Sequence, residues 1–312
     1  MERRNGVFYL DEDRVRALLD WKRLIDAMET ALAAFARGEV RHPVRSIITV
    51  EEHRRFLGVM PAAAADVMGA KLVSFYPANE GSPYPTHNGV VLLFDTQTGV
   101  PLAALDGRLI TEMRTAAVSA AITRYLMPDG AHVLGILGSG VQAHAHVQAL
   151  GQIAAFDEIR VWSRNPEHAA AFAHRHGARA TDAESAVRGA DVVVVATSSR
   201  EPVLCGAWLK EGAHVNAVGA NRPDWRELDD AAMQNVVVVD SREAAAQESG
   251  DVILSNAHVY AEIGEVFAGR VPPPPRSATT VFKSGGLAVE DLYAAKLVYD
   301  AYALERDAKA PA

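Results

Sequence analysis

The 312-residue chain has a single cysteine, Cys205, and a lone thiol cannot close an internal disulfide. A reducing, cytoplasmic setting is therefore expected. Positive charge is also scarce: 31 Lys and Arg stand against 39 Asp and Glu, a formal net charge of −8. Phosphate backbones are bound by clustered basic residues, so no nucleic-acid partner is expected. No apolar run approaches the roughly 20 residues that a membrane helix needs, and no membrane association is expected. The opening MERRNGVFYLDEDRV has basic residues but no apolar stretch behind them, unlike a secretory signal. What remains is a hydrophobic content of 49% spread over a length that favours two domains.

The hydrophobic period changes twice along the chain. Over 20–37, Leu24, Ile25, Met28, Leu32 and Phe35 recur at helical spacing and predict an amphipathic helix closed by Gly38. From 43 to 106, short β-rich runs broken by Gly and Pro predict a mostly antiparallel sheet. TEMRTAAVSAAITRYLM then predicts a long helix stopped by Pro128. From 131 onward strands and helices alternate, and the strand runs (HVLGILG, EIRVW, DVVVVAT, HVNAVGA, VVVVD) are almost wholly apolar. That pattern predicts an α/β domain whose parallel sheet is covered on both faces. VPPPPRS reads as a stiff surface loop. The final AVEDLYAAKLVYDAYALERDA is a helix expected to pack back on the first domain. The predicted division is 1–116 with 290–312, and 117–289.

Within HVLGILGSGVQAHAH, a strand meets Gly138-Ser139-Gly140-Val141-Gln142-Ala143, a G-x-G-x-x-A opening a helix. The first glycine permits a tight turn, and the second lets a diphosphate approach the N–H groups of the helix start. The small Ala143 allows the helix to pack closely on the strand. A strand before and a helix after are the context that makes this spacing a dinucleotide site. At the end of the next strand, RVWSRNPEH supplies Ser163, Arg164 and Asn165, with no carboxylate before Glu167. A carboxylate there would repel a 2′-phosphate, whereas a guanidinium pairs with one. NADP(H) is thus the preferred cofactor, with NAD(H) possible should Arg164 be only a solvated loop charge. His144 and His146, like His174 and His176, are two apart on helices and point away from each other, so neither pair is expected to chelate a metal.

Arg45 in HPVRSII and Lys71 in GAKLVSFY fall within apolar strand runs, where a charge is costly unless paired. Arg114 and Thr115 are expected near a helix start, a favourable place for an anion. Spacing alone does not bring the three cations together. Separate ion pairs or solvent-facing strand positions account for them equally well.

RTAAVSA, GSGVQA, AVGANRPDWRELDD, QESGDV and TTVFKSGGLAVEDLYAAKLVYD, in that order, resemble the ornithine cyclodeaminase/mu-crystallin family, in particular its mu-crystallin-type ketimine reductases. The resemblance covers nearly the whole chain. It implies a homodimer with a Rossmann dinucleotide-binding domain and a discontinuous α+β domain for substrate and dimerisation. By the same resemblance Arg45, Lys71 and Arg114 clamp a substrate carboxylate, and Arg114, Thr115 and Asn88 approach the cofactor. Thr197 and Ser198 match adenosine-side contacts, Val218 and Gly219 line the nicotinamide half, and Ser284 lies beside the nicotinamide. His53, Phe56 and His258 match pocket positions, with surface placement the alternative for each.

One departure selects among the family's reactions. Where ornithine cyclodeaminases carry an aspartate followed four residues later by a lysine, this chain has Asn221 and Trp225. An amide orients a substrate or a water but cannot act as a general base near neutral pH. The mu-crystallin type of sequence has a small hydroxyl residue where Asn221 stands, so this chain departs there as well. The expected activity is reduction of cyclic ketimines such as Δ1-piperideine-2-carboxylate and Δ1-pyrroline-2-carboxylate to L-pipecolate and L-proline. Cyclodeamination, alanine dehydrogenation and non-enzymatic, dinucleotide-gated binding of a small hormone-like ligand are the alternatives. Asn221 and Lys71 are the expected catalytic residues, with Lys71 either donating the proton or only anchoring the carboxylate while water donates.

Overall fold

The computed structural model describes residues 7–52, 55–79 and 81–309. The chain forms two compact units, one ending at Arg114 and resuming at Leu287, the other running from Thr115 to Gly286.

The first unit begins with β1 (Phe8–Leu10), α1 (Glu12–Leu18) and α2 (Trp21–Ala36). Asp11 and Asp20 cap the two helices, each accepting from the backbone N–H three residues on at 3.0 Å. The predicted stripe Leu24, Ile25, Met28 and Leu32 is buried on α2, while Phe35 is half-buried and meets the His42 ring edge-on. Gly38 takes φ of +77° and follows the helix end, as the spacing predicts. Then come β2 (Ser46–Glu51), β3 (Arg55–Ala63), β4 (Met68–Phe75), β5 (His87–Phe94) and β6 (Pro101–Asp106). The sheet order is β1-β6-β5-β4-β3-β2, antiparallel throughout except that β1 runs parallel to β6. The last helix, Ala288–Lys309, lies across β3, β4 and β5 and along α2. Gly69 permits that closeness, because a Cβ there would stand 1.9 Å from the Leu92 carbonyl oxygen and 3.1 Å from the Leu292 side chain.

Helix α3 (Gly107–Leu126) corrects one expectation. It starts directly after β6, where Asp106 accepts from Leu109 N at 2.8 Å, and not at Thr111. Gly107 makes the abrupt turn possible, since a Cβ would meet the Gly89 carbonyl carbon at 2.7 Å. Arg114 therefore stands about two turns inside the helix and draws nothing from its N-terminal dipole.

The second unit continues with β7 (Val133–Leu137), α4 (Val141–Leu150), β8 (Glu158–Trp162), α5 (Pro166–His176), β9 (Arg179–Ala180), α6 (Ala183–Val187) and β10 (Val192–Val195). After these come β11 (His214–Ala217), α7 (Asp230–Met233), β12 (Val236–Val239), α8 (Arg242–Glu248), α9 (Gly250–Ser255), β13 (Val259–Glu262), α10 (Ile263–Phe267) and β14 (Thr280–Lys283). The eight strands are all parallel, in the order β13-β12-β14-β11-β10-β7-β8-β9. The four valines of β10 are fully buried, as expected for a strand covered on both faces. Strand β14, which the sequence reading did not single out, inserts between β12 and β11. The order reverses at β7, which has β8 on one side and β10 on the other, and ligands of such sheets bind outside the carboxyl ends at this reversal. Among the described residues no helix is long and apolar enough to cross a membrane.

Candidate active site

In the first unit two of the three predicted cations meet. Lys71, on β4, is 2% exposed and pairs with Asp291 at 2.6 Å. Arg114 donates to Asp291 at 3.1 Å and to Glu290 at 2.5 Å. Both carboxylates come from the first turn of the last helix and are fully buried. Arg45 sits just before β2 rather than within it, half-buried, and its charge acts on Lys71. Burial, reinforced by Arg114 and Arg45 and opposed by Asp291, lowers the Lys71 pKa to about 8. Burial would raise the pKa of Asp291, but Arg114 and Lys71 together hold it below the ordinary carboxylate range. Sequence reasoning missed Glu290 and Asp291, although VEDL at a helix start was visible. Nothing in a local pattern says that a helix over 170 residues downstream returns to these cations.

In the second unit the phosphate cradle has the predicted form. Gly138 holds φ of +116°, and a Cβ there would lie 2.3 Å from the Ala196 carbonyl oxygen. Gly140 differs: its backbone is extended, and a Cβ would meet nothing within 4 Å. No neighbouring protein atom demands glycine at that position, whereas a ligand approaching the helix start does. No side chain caps α4 at Gly140, and the Gln142 Oε1 is buried without a hydrogen-bond partner among the described residues. Val141 is exposed beside it, Ala143 is fully buried against the sheet, and Ser139 donates to Ser163 at 2.9 Å. The site thus fits the diphosphate of a nicotinamide dinucleotide.

Ser163, Arg164 and Asn165 follow β8, with Arg164 exposed. Asn165 has a structural task, capping α5 by accepting from Glu167 N at 2.9 Å. Thr197 and Ser198 follow β10, Val218 and Gly219 follow β11, and buried Ser284 follows β14. All five stand beyond the carboxyl ends of adjacent strands. Asn221 is exposed there, its amide 3.5 Å from the Val218 carbonyl oxygen. The Arg200 and Arg222 guanidiniums stand over the Trp225 ring, 4.9 and 5.1 Å from its centroid.

The sequence reading also missed three buried ionisable groups beneath these loops. Glu227 accepts from Thr197 N at 2.6 Å and from the Thr197 hydroxyl at 2.7 Å. Asp251 accepts from Glu227 N at 2.8 Å and pairs with Lys283 at 3.1 Å, and Lys283 donates to the Gly219 carbonyl. Thr115 is buried on α3, while Asn88 is exposed on β5 and donates to the Pro85 carbonyl at 3.1 Å. Phe56 stacks on Phe75, His258 is exposed, and His53 lies outside the described residues. The histidines rearrange the predicted pairs: His144 meets His176 across α4 and α5 at 2.6 Å, and His146 is buried against Ser119. Among the described residues no three His, Cys, Asp or Glu side chains are grouped to hold a metal ion.

Known proteins resemble this chain in sequence and fold over nearly its whole length. The rat (Rattus norvegicus) ketimine reductase mu-crystallin is 50% identical over 309 residues, covering 96% of this chain and 98% of its own. The structure of Thermococcus litoralis Δ1-pyrroline-2-carboxylate reductase in complex with NADH and L-proline matches with TM-score 0.90 at 35% identity, over 96% of this chain and 98% of that one. An archaeal alanine dehydrogenase dimer with bound NAD also reaches TM-score 0.90, at 31% identity over 96% and 97% of the two chains. The profile of the ornithine cyclodeaminase/mu-crystallin family matches residues 8–305, and this chain belongs to that family.

Proposed function

We propose that this protein is a ketimine reductase that reduces Δ1-piperideine-2-carboxylate and Δ1-pyrroline-2-carboxylate to L-pipecolate and L-proline. Half of its residues are shared with a ketimine reductase over nearly the full length of both chains, and a second relative holds L-proline and NADH together. The observation that supports the chemistry is Lys71, a buried ammonium paired with Asp291, whose pKa burial lowers to about 8. Gly138, Gly140 and the start of α4 would hold the diphosphate of a nicotinamide dinucleotide, which when bound would supply hydride for the imine carbon. Arg114 and Arg45 orient the substrate carboxylate, and Lys71 gives its proton to the imine nitrogen, because an iminium accepts hydride far better than a neutral imine. Asp291 and Glu290 neutralise two of the three cations beforehand. A positive iminium therefore does not depend on the substrate carboxylate alone for compensation.

Asn221 cannot take the proton that cyclodeamination requires, so its amide serves to orient substrate or water. The Ser163-Arg164-Asn165 turn, free of carboxylates, supports a preference for NADP(H) over NAD(H). We further assign the first unit to substrate binding and dimerisation and the second to the dinucleotide, in a cytoplasmic homodimer. The test is dinucleotide oxidation with each cyclic imine, using NADPH and NADH in parallel. Turnover with consumption of one imine per dinucleotide, faster with NADPH, is expected. Release of ammonia from ornithine without imine turnover would overturn the proposal.

A further inference from the structure

The buried groups beneath the second unit's strand ends form a closed ring that the reaction as described does not use. Thr197 donates twice to Glu227, the Glu227 backbone donates to Asp251, Asp251 pairs with Lys283, and Lys283 donates to the Gly219 carbonyl. Packing then closes the circuit between Gly219 and Thr197. A Cβ on Gly219 would stand 2.1 Å from the Thr197 carbonyl oxygen and 2.6 Å from the Glu227 carboxylate. Three neighbouring strands, β10, β11 and β14, are thereby tied together at their carboxyl ends.

The ring also reaches the phosphate cradle. A Cβ on Gly138 would touch the Ala196 carbonyl oxygen at 2.3 Å and the Thr197 methyl at 3.5 Å, so the first cradle turn rests on the turn that Glu227 anchors. On the other side, Ala220 holds φ of +52°, a left-handed conformation that a residue with a Cβ keeps only where its surroundings over-determine it. Gly219, held by Lys283 and packed on Glu227, immediately precedes it.

We propose that Glu227 is a positioning residue for the dinucleotide, locking the Thr197 and Gly219 turns, through the ring with Asp251 and Lys283, into the arrangement that receives it. The inference rests on the dinucleotide-dependent function proposed above. Two carboxylates facing one ammonium would leave an excess buried negative charge if all three were ionised. The charged groups facing Glu227 are Lys283 on β14 and Asp251 on α9. Its Oε2 has no hydrogen-bond partner among the described residues, and burial raises its pKa to about 7 despite the pull of Lys283. Glu227 thus changes from protonated to ionised across the neutral range, and in its protonated form it is a neutral acceptor for Thr197. Glutamine should replace it in that role, and an apolar residue should not.

The experiment measures dissociation constants of NADH and NADPH on the full chain by fluorescence titration, for the parent, Glu227→Gln and Glu227→Leu. Glu227→Gln should stay within about threefold of the parent near neutral pH, while Glu227→Leu weakens both dinucleotides by about tenfold or more. The imine KM at saturating dinucleotide should move by less than about twofold in either variant. An anionic dinucleotide favours the protonated carboxyl, so NADH affinity should fall as pH rises from about 6 to about 8 in the parent, and that slope should flatten in Glu227→Gln. This slope decides the matter if Glu227→Leu fails to fold. Leu binding as tightly as the parent, or an unchanged slope in Gln, overturns the inference. A parent that binds dinucleotide but turns over no imine overturns the assigned reaction alone, and one that binds no dinucleotide overturns both.

Discussion

Asp291 carries more of the candidate chemistry than its place in a helix start suggests. It is fully buried, touches both Lys71 and Arg114, and raises a Lys71 pKa that burial and the neighbouring cations pull down. Proton donation needs Lys71 protonated, so kcat/KM for the imine should be level at neutral pH and decline above a pH of about 8. Asp291→Asn removes the raising influence, so the decline should move to lower pH and the rate at neutral pH should drop. A pH–rate series on both proteins measures the displacement, and an alkaline limb that stays in place would remove Lys71 from the proton path. Breaking a buried ion pair also costs about 3–5 kcal/mol of stability, so the variant should melt earlier. Lys71 was legible as a charge in an apolar strand, and the family resemblance, not that anomaly alone, gave it a role. Its partner was not, because a strand residue and a residue of the last helix share no local pattern.

At the scale of elements, the two cradle glycines are alike in sequence and unlike in structure. Gly138 is required by the protein itself, through its left-handed turn against Ala196, whereas Gly140 faces open space on an extended backbone. Gly140→Ala should therefore leave the melting temperature close to the parent's while weakening dinucleotide binding by roughly tenfold or more. Calorimetry and a binding titration on one sample separate the two effects, and unchanged affinity would take the diphosphate away from the α4 start. β7, β8, β10, β11 and β12 of this unit, with α4 and α5, were readable because each is a largely apolar stretch between turn residues, whereas β9, β13 and the short helices α6 to α10 were not singled out. The position of β14 was not, since strand order is set by the crossovers and not by the strands. The early start of α3 escaped notice for a similar reason: its first turn packs a glycine against β5, a contact that no helical period announces.

For the molecule as a whole, β2 is the outer strand of the first unit's sheet, and Ile47, Ile48 and Val50 on it are all more than half exposed. Successive strand residues point to opposite faces, so apolar surface is uncovered on both sides of an edge that pairs with no other strand among the described residues. Such a surface supports the homodimer proposed above, with β2 beneath the second copy. Sedimentation should give twice the 33.5 kDa chain mass, and the double variant Ile47→Lys with Ile48→Lys should sediment at half that value. A parent that sediments as a monomer would refute the assignment of this unit to dimerisation.

Sequence by itself determined the two kinds of sheet, the dinucleotide turn and the absence of an acid at position 221, because each depends on residue type over a few consecutive positions. The tertiary structure alone decided which charges face one another: Lys71 and Arg114 with the carboxylates of the last helix, and Glu227 with Asp251, Lys283 and Thr197. Those pairings join residues far apart in the chain. The physical reason is desolvation: a buried charge must find a partner, and the fold, not the sequence neighbourhood, determines which one is within reach.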